Sequence, residues 1–160
     1  MDFDVQGFLN ATFTEQLDTK IIPVPEGDWQ GQIKSLSTKE GDIKNGDNAG
    51  KKWLMMTIQW DVGTANPQLA AVTNREENNV RQEFFCDVKY DPMGKIAGLD
   101  LGKGKNIALG RVLEAVGLNN GQPWSPMMLI GRPAFVAVSH RVDPSDPTIK
   151  YAEVKGVRKV

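Results

Sequence analysis

Cysteine and histidine are nearly absent from this chain of 160 residues, which contains one of each, Cys86 and His140. A single cysteine excludes an internal disulfide and is typical of a reducing compartment. These two residues alone cannot complete a zinc site or a Cys-His or Ser-His catalytic group. Cys86 alternates with Phe84 and Val88, which predicts a buried structural thiol, and His140 lies in a strand pattern that predicts a half-buried side chain. We therefore expect no enzymatic activity, no metal and no cofactor.

Long hydrophobic runs and a strong net charge are also lacking. No apolar run approaches the roughly 20 residues that a membrane helix requires, and the acidic N-terminus lacks the basic region of a secretory signal. We expect a cytoplasmic protein without membrane contact. The 19 basic and 20 acidic residues give a net charge of -1, but residues 1–50 carry -5, residues 51–100 carry -1 and residues 101–160 carry +5. Because the last third is basic, the average does not exclude a nucleic-acid partner.

What the chain has in quantity is alternation of apolar and polar residues, which predicts strands. The clearest strand covers 52–62, with Leu54, Met56 and Ile58 on its inner face and Trp53 and Met55 on the opposite face. Residues 80–88 alternate in the same way. The predicted strands are 29–36, 52–62, 80–88, 134–142 and 151–160.

The period changes to 3.6 residues only near the start of the last third. Apolar residues at 109, 112, 113 and 116 predict one helix over 106–116, with Asn106 as N-cap and Gly117 as C-cap. The polar stretches 38–50 and 66–79 predict long loops. Gly31, within the first strand, predicts a bend.

Five strands with a helix between the third and the fourth are the plan of an oligonucleotide/oligosaccharide-binding barrel (OB-fold). We predict a mostly β protein with one OB-fold-like domain over 25–160, preceded by an irregular N-terminal arm over 1–24. An open five-stranded α+β sheet has the same element order and remains the alternative.

Two polar features suggest chemistry but lack the required spacing. Asp87 and Asp91 have no third ligand beside them, which favours a solvated strand end over a metal site. The glycine- and lysine-rich segment 101–106 precedes the helix, yet it does not match a P-loop.

Aromatic and basic residues share the predicted outer face of the sheet, and this combination is what single-stranded nucleic acid requires. Aromatic rings on strands are more often core residues, and we expect that role for Trp29, Trp60 and Phe84. The residues predicted to stack on bases are Trp53, Phe85 and Tyr151, and those predicted to contact phosphates are Lys34, Lys52, Arg81, Arg141 and Lys155.

Several segments are similar to a family of bacteriophage single-stranded DNA-binding proteins. Residues 8–12 and 22–29 resemble the beginning of that family, and 104–110 with 114–118 resemble its helix. The likeness continues through 129–132, 136–138 and 151–155. It implies a phage-encoded OB-fold, in the host cytoplasm, that coats DNA strands exposed in replication or recombination. One departure is the basic end Arg158-Lys159-Val160, because bacterial single-stranded DNA-binding proteins end in an acidic tail that recruits other enzymes.

We therefore predict a sequence-tolerant single-stranded DNA-binding protein. RNA binding, self-association and contacts with phage replication or recombination proteins stay open. The alternative is a non-enzymatic structural or adaptor protein that uses the same barrel for protein contacts. The acidic arm is expected to self-associate or to occupy the groove of a neighbour, and removal of residues 1–24 is expected to strengthen DNA binding at low salt.

Overall fold

A computed structural model describes residues 2–160 as a mostly β protein with a five-stranded sheet and few helices. Met1, the first residue of the predicted arm, lies outside the described residues. The elements in chain order are α1 (Val5–Asn10), β1 (Gly27–Asp42), β2 (Lys52–Asp61), α2 (Leu69–Thr73), β3 (Asn79–Cys86), β4 (Val88–Tyr90), β5 (Ile96–Leu99), α3 (Ile107–Ala115), a 3-10 turn (Pro126–Leu129), β6 (Pro133–Val142) and β7 (Lys150–Arg158).

The five long strands pair in the order β1-β2-β3-β7-β6, and β6 pairs with β1, so that the sheet closes on itself. Four of these contacts are antiparallel. The contact between β3 and β7 is parallel and has one register pair, Arg81 with Glu153. The strands β4 and β5 form a separate two-stranded sheet. The helix α3 comes between β3 and β6, which agrees with the predicted element order.

The core lies inside the ring, where the predicted alternation places it. The inner faces of β2 and β3 bury Met56, Ile58, Trp60 and Val80. Trp60 is fully buried, and its indole N–H donates to Gln82 Oε1 at 3.0 Å. A buried indole needs such a partner, which explains a polar residue on the inner face of β3. The predicted core position of Trp60 is confirmed, and Trp29 and Phe84 are partly buried against the core.

The strand β1 is long because it pairs with two neighbours, β6 through its first half and β2 through its second half. Gly31 lies buried at the transition, as the predicted bend requires. A Cβ at this position would lie 3.1 Å from Asp61 O and from Val62 Cγ1, so the close approach of β2 favours glycine. A register shift between Ile33 and Ser35 follows, and both Ile33 and Leu36 still pack into the core.

Both predicted loops were wrong in part. Residues 38–42 belong to β1, because their backbone pairs with β2 as far as Asp42 with Lys52. The polar composition of this segment reflects its exposure and not a lack of pairing. The second predicted loop contains α2, which buries Leu69 and Thr73. Thr73 Oγ1 is within 2.6 Å of Asn78 Oδ1, so polar side chains fix this turn.

The third predicted strand divides at Asp87 into β3 and β4, and β4 pairs with β5, which the sequence did not indicate. The predicted helix is confirmed as α3, and Gly117 ends it with a φ of 78°. Asn106 does not cap α3 with its side chain. Its side chain instead accepts a hydrogen bond from Asp87 N–H and donates to the carbonyls of Asp87 and Asp100, each at 2.8 Å.

The predicted arm contains one short helix, α1, which buries no residue. The C-terminal end of the arm is fixed to the sheet. Val24 is 1% exposed within the core, and Nε2 of His140 lies 2.7 Å from the Val24 carbonyl oxygen. His140 is half-buried, as predicted. No helix within residues 2–160 is long and apolar enough to cross a membrane.

Candidate nucleic-acid interface

Trp53 and Phe85 form an aromatic pair on the outer face of β2 and β3. Met55, two residues after Trp53 in the chain, is the register partner of Phe85. The rings of Trp53 and Phe85 meet edge to face with centroids 5.6 Å apart. Phe85 is 67% exposed, which is unusual for an aromatic side chain in the middle of a sheet. An exposed aromatic platform on a strand provides a flat π-face for a stacking partner.

Trp53 and Met55 are half-buried, so the prediction that both are exposed was wrong. Trp53 lies across Gly41 of β1, and a Cβ at Gly41 would overlap its ring. Gly41 is the register partner of Trp53. The missing side chain of Gly41 therefore allows the indole to lie flat against the sheet, where it supports Phe85.

A small cavity of about 280 Å³ opens beside the aromatic pair. Tyr90 and Lys105 line it together with Trp53 and Phe85. The hydroxyl of Tyr90 donates to the carbonyl of Lys52 at 2.6 Å, and the ammonium of Lys51 lies 5.0 Å from the centre of the Tyr90 ring. The loop between β1 and β2 thus carries positive charge to the edge of the aromatic pair.

A larger groove of about 770 Å³ lies at the other end of β3, over the boundary between β3 and β7. Arg81, Arg141 and Tyr151, three of the predicted site residues, line it. The residues that line it are Ile21, Pro23, Val24, Arg75, Glu77, Asn79, Arg81, Gln82, Glu83, Arg141, Lys150, Tyr151, Ala152, Glu153 and Val154. Four of them are cationic and three are acidic, so the groove carries a small positive excess.

The outer face of β3 connects the aromatic pair with the groove. Phe85, Glu83 and Arg81 alternate along this face, and they span about 13 Å at 3.3 Å per residue. Arg81 is the register partner of Glu153 on β7, and Glu153 pairs with Arg141 at 3.4 Å. Rings and guanidinium groups therefore follow one another on a continuous surface from β2 to β6.

Four of the five predicted phosphate contacts form ion pairs in the free protein. Arg81 pairs with Glu83, and Lys52 pairs with Asp42. The remaining two pairs, at 3.4 Å each, are Lys34 with Glu77 and Arg141 with Glu153. Exposed pairs of this kind are weak, because water screens both charges. The acidic partners therefore orient the cations at little energetic cost or gain.

Tyr151 is held by the loop between β6 and β7. Its hydroxyl donates to Asp143 at 2.9 Å, and this hydrogen bond raises the pKa of Tyr151. The same carboxylate accepts from Ser145 N–H and from Tyr151, and these bonds lower the pKa of Asp143. The guanidinium of Arg141 lies 5.1 Å from the ring centre of Tyr151. The hydrogen bond to Asp143 and the guanidinium of Arg141 therefore fix the orientation of the Tyr151 ring.

The structure brings most of the predicted residues to one surface, in two groups. Trp53 and Phe85 line the small cavity, and the Lys52 carbonyl accepts a hydrogen bond from Tyr90, which also lines it. Arg81, Arg141 and Tyr151 line the groove. Lys34 reaches the groove through Glu77, whereas Lys155 is exposed on β7 but lines neither cavity. The sequence did not single out Arg75, Lys150 and Tyr90, and only their positions beside predicted strands could have indicated them. Lys105 belongs to the glycine- and lysine-rich segment 101–106 that the sequence did indicate.

The residues predicted to have structural roles are placed accordingly. Cys86 is buried, and burial raises the pKa of its thiol, which favours the protonated, unreactive form. Asp87 accepts a hydrogen bond from Asn106 N–H at 2.7 Å, and Asp91 accepts two from the β4–β5 turn. Both carboxylates are therefore used in backbone contacts.

A scan against models of known protein families found no match, and a search of curated protein sequences found none either. The arguments for function therefore come from the geometry and charge of this chain.

Proposed function

We propose that this protein binds single-stranded DNA without strong sequence preference, through the outer face of β2 and β3 and the groove between β3 and β7. The observation that carries the proposal is the exposed Phe85, supported by Trp53, on the same face as the arginine-lined groove. We include in the proposal that the protein is not an enzyme and protects strands exposed during DNA replication or recombination.

The strand order supports an OB-fold as the framework for this function. With β6 and β7 counted as the fourth and fifth strands, the ring runs 1-2-3-5-4, the third and fifth strands are parallel, and α3 separates the third from the fourth. OB-folds bind oligonucleotides on strands 2 and 3 and on the loops that connect strands 1 and 2 and strands 4 and 5. The aromatic pair and the groove lie on these parts of the chain.

The chemistry of the surface supports a single strand as the ligand. Bases of a single strand are free to stack on aromatic rings, and each stacked base contributes about 1–3 kcal/mol. Phe85 offers the exposed ring for one base, and Tyr151 beside Arg141 offers a second, at the far side of the groove. Arginine and lysine side chains between the rings are placed to follow the phosphates. Because every base has a π-face, such a surface discriminates little between sequences.

The resemblance to bacteriophage single-stranded DNA-binding proteins agrees with this proposal. It covers the segments that form the start of β1, the helix α3, and parts of β6 and β7. A phage origin and a place in replication or recombination rest on the resemblance. The stacking surface rests on the geometry.

Titration with oligo-dT, followed by tryptophan fluorescence, tests the proposal. We expect quenching at low salt, because Trp53 lies in the aromatic pair, and a steep loss of affinity as salt rises, because the counterions released on binding then gain less entropy. Phe85→Ala should weaken binding about tenfold or more while the unfolding midpoint stays near that of the wild type, because the ring is 67% exposed.

Phe13→Ala is the matched control, since Phe13 is an equally exposed phenylalanine in the arm, at 73%. It should bind a short oligo-dT as the wild type does. Absence of binding at low salt, or equal affinities for Phe85→Ala and the wild type, would contradict the proposal. A folded protein that binds no oligonucleotide would favour a structural or adaptor role for the same face.

A further inference from the structure

The N-terminal arm exposes an unusual number of apolar side chains. The ring of Phe8 lies beside those of Phe3 and Phe13, with centroids 5.5 and 6.5 Å away, yet each of the three side chains is more than half exposed. The exposed large hydrophobic residues of the arm are Phe3, Val5, Phe8, Leu9, Phe13, Leu17, Ile21 and Ile22. An apolar segment of this size in water is typical of a surface that docks against a partner.

A second apolar surface lies between the end of β5 and the 3-10 turn. It contains a groove of about 500 Å³, which we call the Trp124 groove, lined by Leu99, Leu101, Gly121, Gln122, Pro123, Trp124 and Pro126. Leu101 is 67% exposed at its rim, and Met127, next to Pro126, is 70% exposed. The Trp124 groove is separate from the DNA-binding face, because it shares no lining residue with either cavity there.

The charges around these two apolar surfaces are opposite. Residues 2–20 contain four acidic side chains and one lysine. The exposed loop after Leu101 carries Lys103 and Lys105, and Asp100 precedes Leu101, so residues 100–105 have a net charge of +1. Neither lysine takes part in an ion pair with residues 2–160. An acidic, aromatic segment therefore matches an uncharged apolar groove beside a net basic loop, in apolar character and in the sign of the charge.

We propose that the arm of one copy docks in the Trp124 groove of a second copy. Within one chain, α1 buries no residue and the groove stays open, so the arm does not cover its own groove. Every copy carries both the arm and the groove, and a second copy therefore supplies the missing partner for each. This contact needs no DNA and does not depend on the proposed function.

The geometry of this contact is head to tail. The arm and the Trp124 groove are different surfaces, so each copy bound through its arm still presents a free groove. Such contacts form rings or open chains of copies, depending on the rotation between neighbouring copies. On a DNA strand, copies linked in this way would occupy neighbouring sites.

Sedimentation velocity without DNA tests the proposal with two complementary variants. The arm variant is Phe8→Ser with Phe13→Ser, and the groove variant is Leu101→Ser with Met127→Ser. We expect concentration-dependent oligomers for the wild type at low salt. Each variant alone should need about tenfold or more protein for the same association, because two exposed apolar groups are lost from one side of the contact.

An equal mixture of the two variants gives the decisive result. The intact arm of the groove variant can bind the intact groove of the arm variant, so the mixture should form dimers and nothing larger. Met93→Ser, at the equally exposed turn between β4 and β5, should associate as the wild type does. All substituted residues are exposed, so equal circular dichroism and unfolding midpoints are expected.

Three results would overturn the proposal: a wild-type protein that is monomeric at all concentrations, variants that associate like the wild type, or a mixture without dimers. If the wild type associates, neither variant associates alone, and the mixture forms no dimers, the contact between copies would be symmetric. Oligonucleotide binding, measured separately on short oligo-dT, should be unchanged in both variants, which separates this proposal from the proposed function.

Discussion

Arg81 has two contacts that serve the proposed site in different ways. It lines the groove, and it pairs with Glu83 on the same face of β3. The ion pair orients the guanidinium, and a phosphate that displaces Glu83 gains a bidentate partner. Arg81→Gln should therefore weaken oligo-dT binding at low salt. The slope of log K against log salt should become less steep by about 0.7, the contribution of one phosphate contact on a single strand.

Arg111→Gln is the control for this measurement. Arg111 is an exposed cation on α3 that lines neither the groove nor the small cavity. Its removal should leave the slope unchanged. If Arg81→Gln and the wild type have equal slopes of log K against log salt, Arg81 does not contact a phosphate.

At the same scale, the sequence predicted which side chains lie on the outer face but not what each one contacts. Alternation alone placed Phe85 outside, and its exposure agrees. The half-burial of Trp53 depends on Gly41, 12 positions earlier in the chain, and the pairing register of β1 and β2 brings them together. The ion pairs of Arg81 and Arg141 likewise depend on acids that the pattern treats as ordinary solvated residues.

Among the elements, α3 packs on the core through Leu109, Val112 and Leu113, and the side chain of Asn106 fixes its N-terminal end to the ends of two strands. Asn106 is buried, with a φ of 52°, and its side chain makes three hydrogen bonds that connect the end of β3 with the end of β5. Asn106→Ala should lower the free energy of unfolding by about 2–4 kcal/mol, because three side-chain hydrogen bonds are lost and alanine lacks the polar group that lets asparagine adopt a left-handed backbone. Urea unfolding measures this difference.

Asn74→Ala is the matched control, because Asn74 ends α2 with a φ of 57° and is exposed. Its substitution should cost about 1 kcal/mol from the backbone conformation alone. The difference between the two variants is the contribution of the Asn106 side-chain bonds. If both cost the same, those bonds would add nothing to stability.

The five long strands and α3 could be predicted because their hydrophobic periods are long and regular. Two kinds of element could not. The helix α2 is only five residues long, and its only buried residues are Leu69 and Thr73. The strands β4 and β5 have three and four residues, too few for alternation to stand out. Short elements of this kind are held by polar side chains and turns, which carry little periodic signal.

For the whole molecule, charge is divided between an acidic arm and a basic surface. Removal of residues 1–20 takes away four acids and one lysine and leaves Val24 in the core. We expect this truncation to strengthen binding to a short oligo-dT at low salt, because the strand then meets less negative charge. The difference should disappear at high salt, where the charges are screened.

Neutralisation of the same acids in the full chain is the control for that truncation. Asp2→Asn, Asp4→Asn, Glu15→Gln and Asp18→Asn together should reproduce its effect if charge is the cause. Unchanged or weaker binding of the truncated protein would separate the arm from the DNA-binding face.

The groove itself is a product of ring closure and could not be predicted from any one segment. Arg81 comes from β3, Arg141 from β6 and Tyr151 from β7. The sequence predicted each of them as a site residue, but only the contact of β3 with β7 brings Arg81 close to Arg141 and Tyr151. Lys155 shows the opposite case, because its place on an outer face did not bring it to either cavity.

That same contact determines how far the groove can open. The strands β3 and β7 share one register pair, whereas β2 and β3 share eight. Arg81 lies on one lip of the groove and Tyr151 on the other, so the lips belong to the two strands that are held together least. A small separation of these strands would widen the aperture while the remaining ladders stay intact. The width of the groove is therefore its softest dimension, and under the proposed function the groove would admit bases of different size without any change in the core.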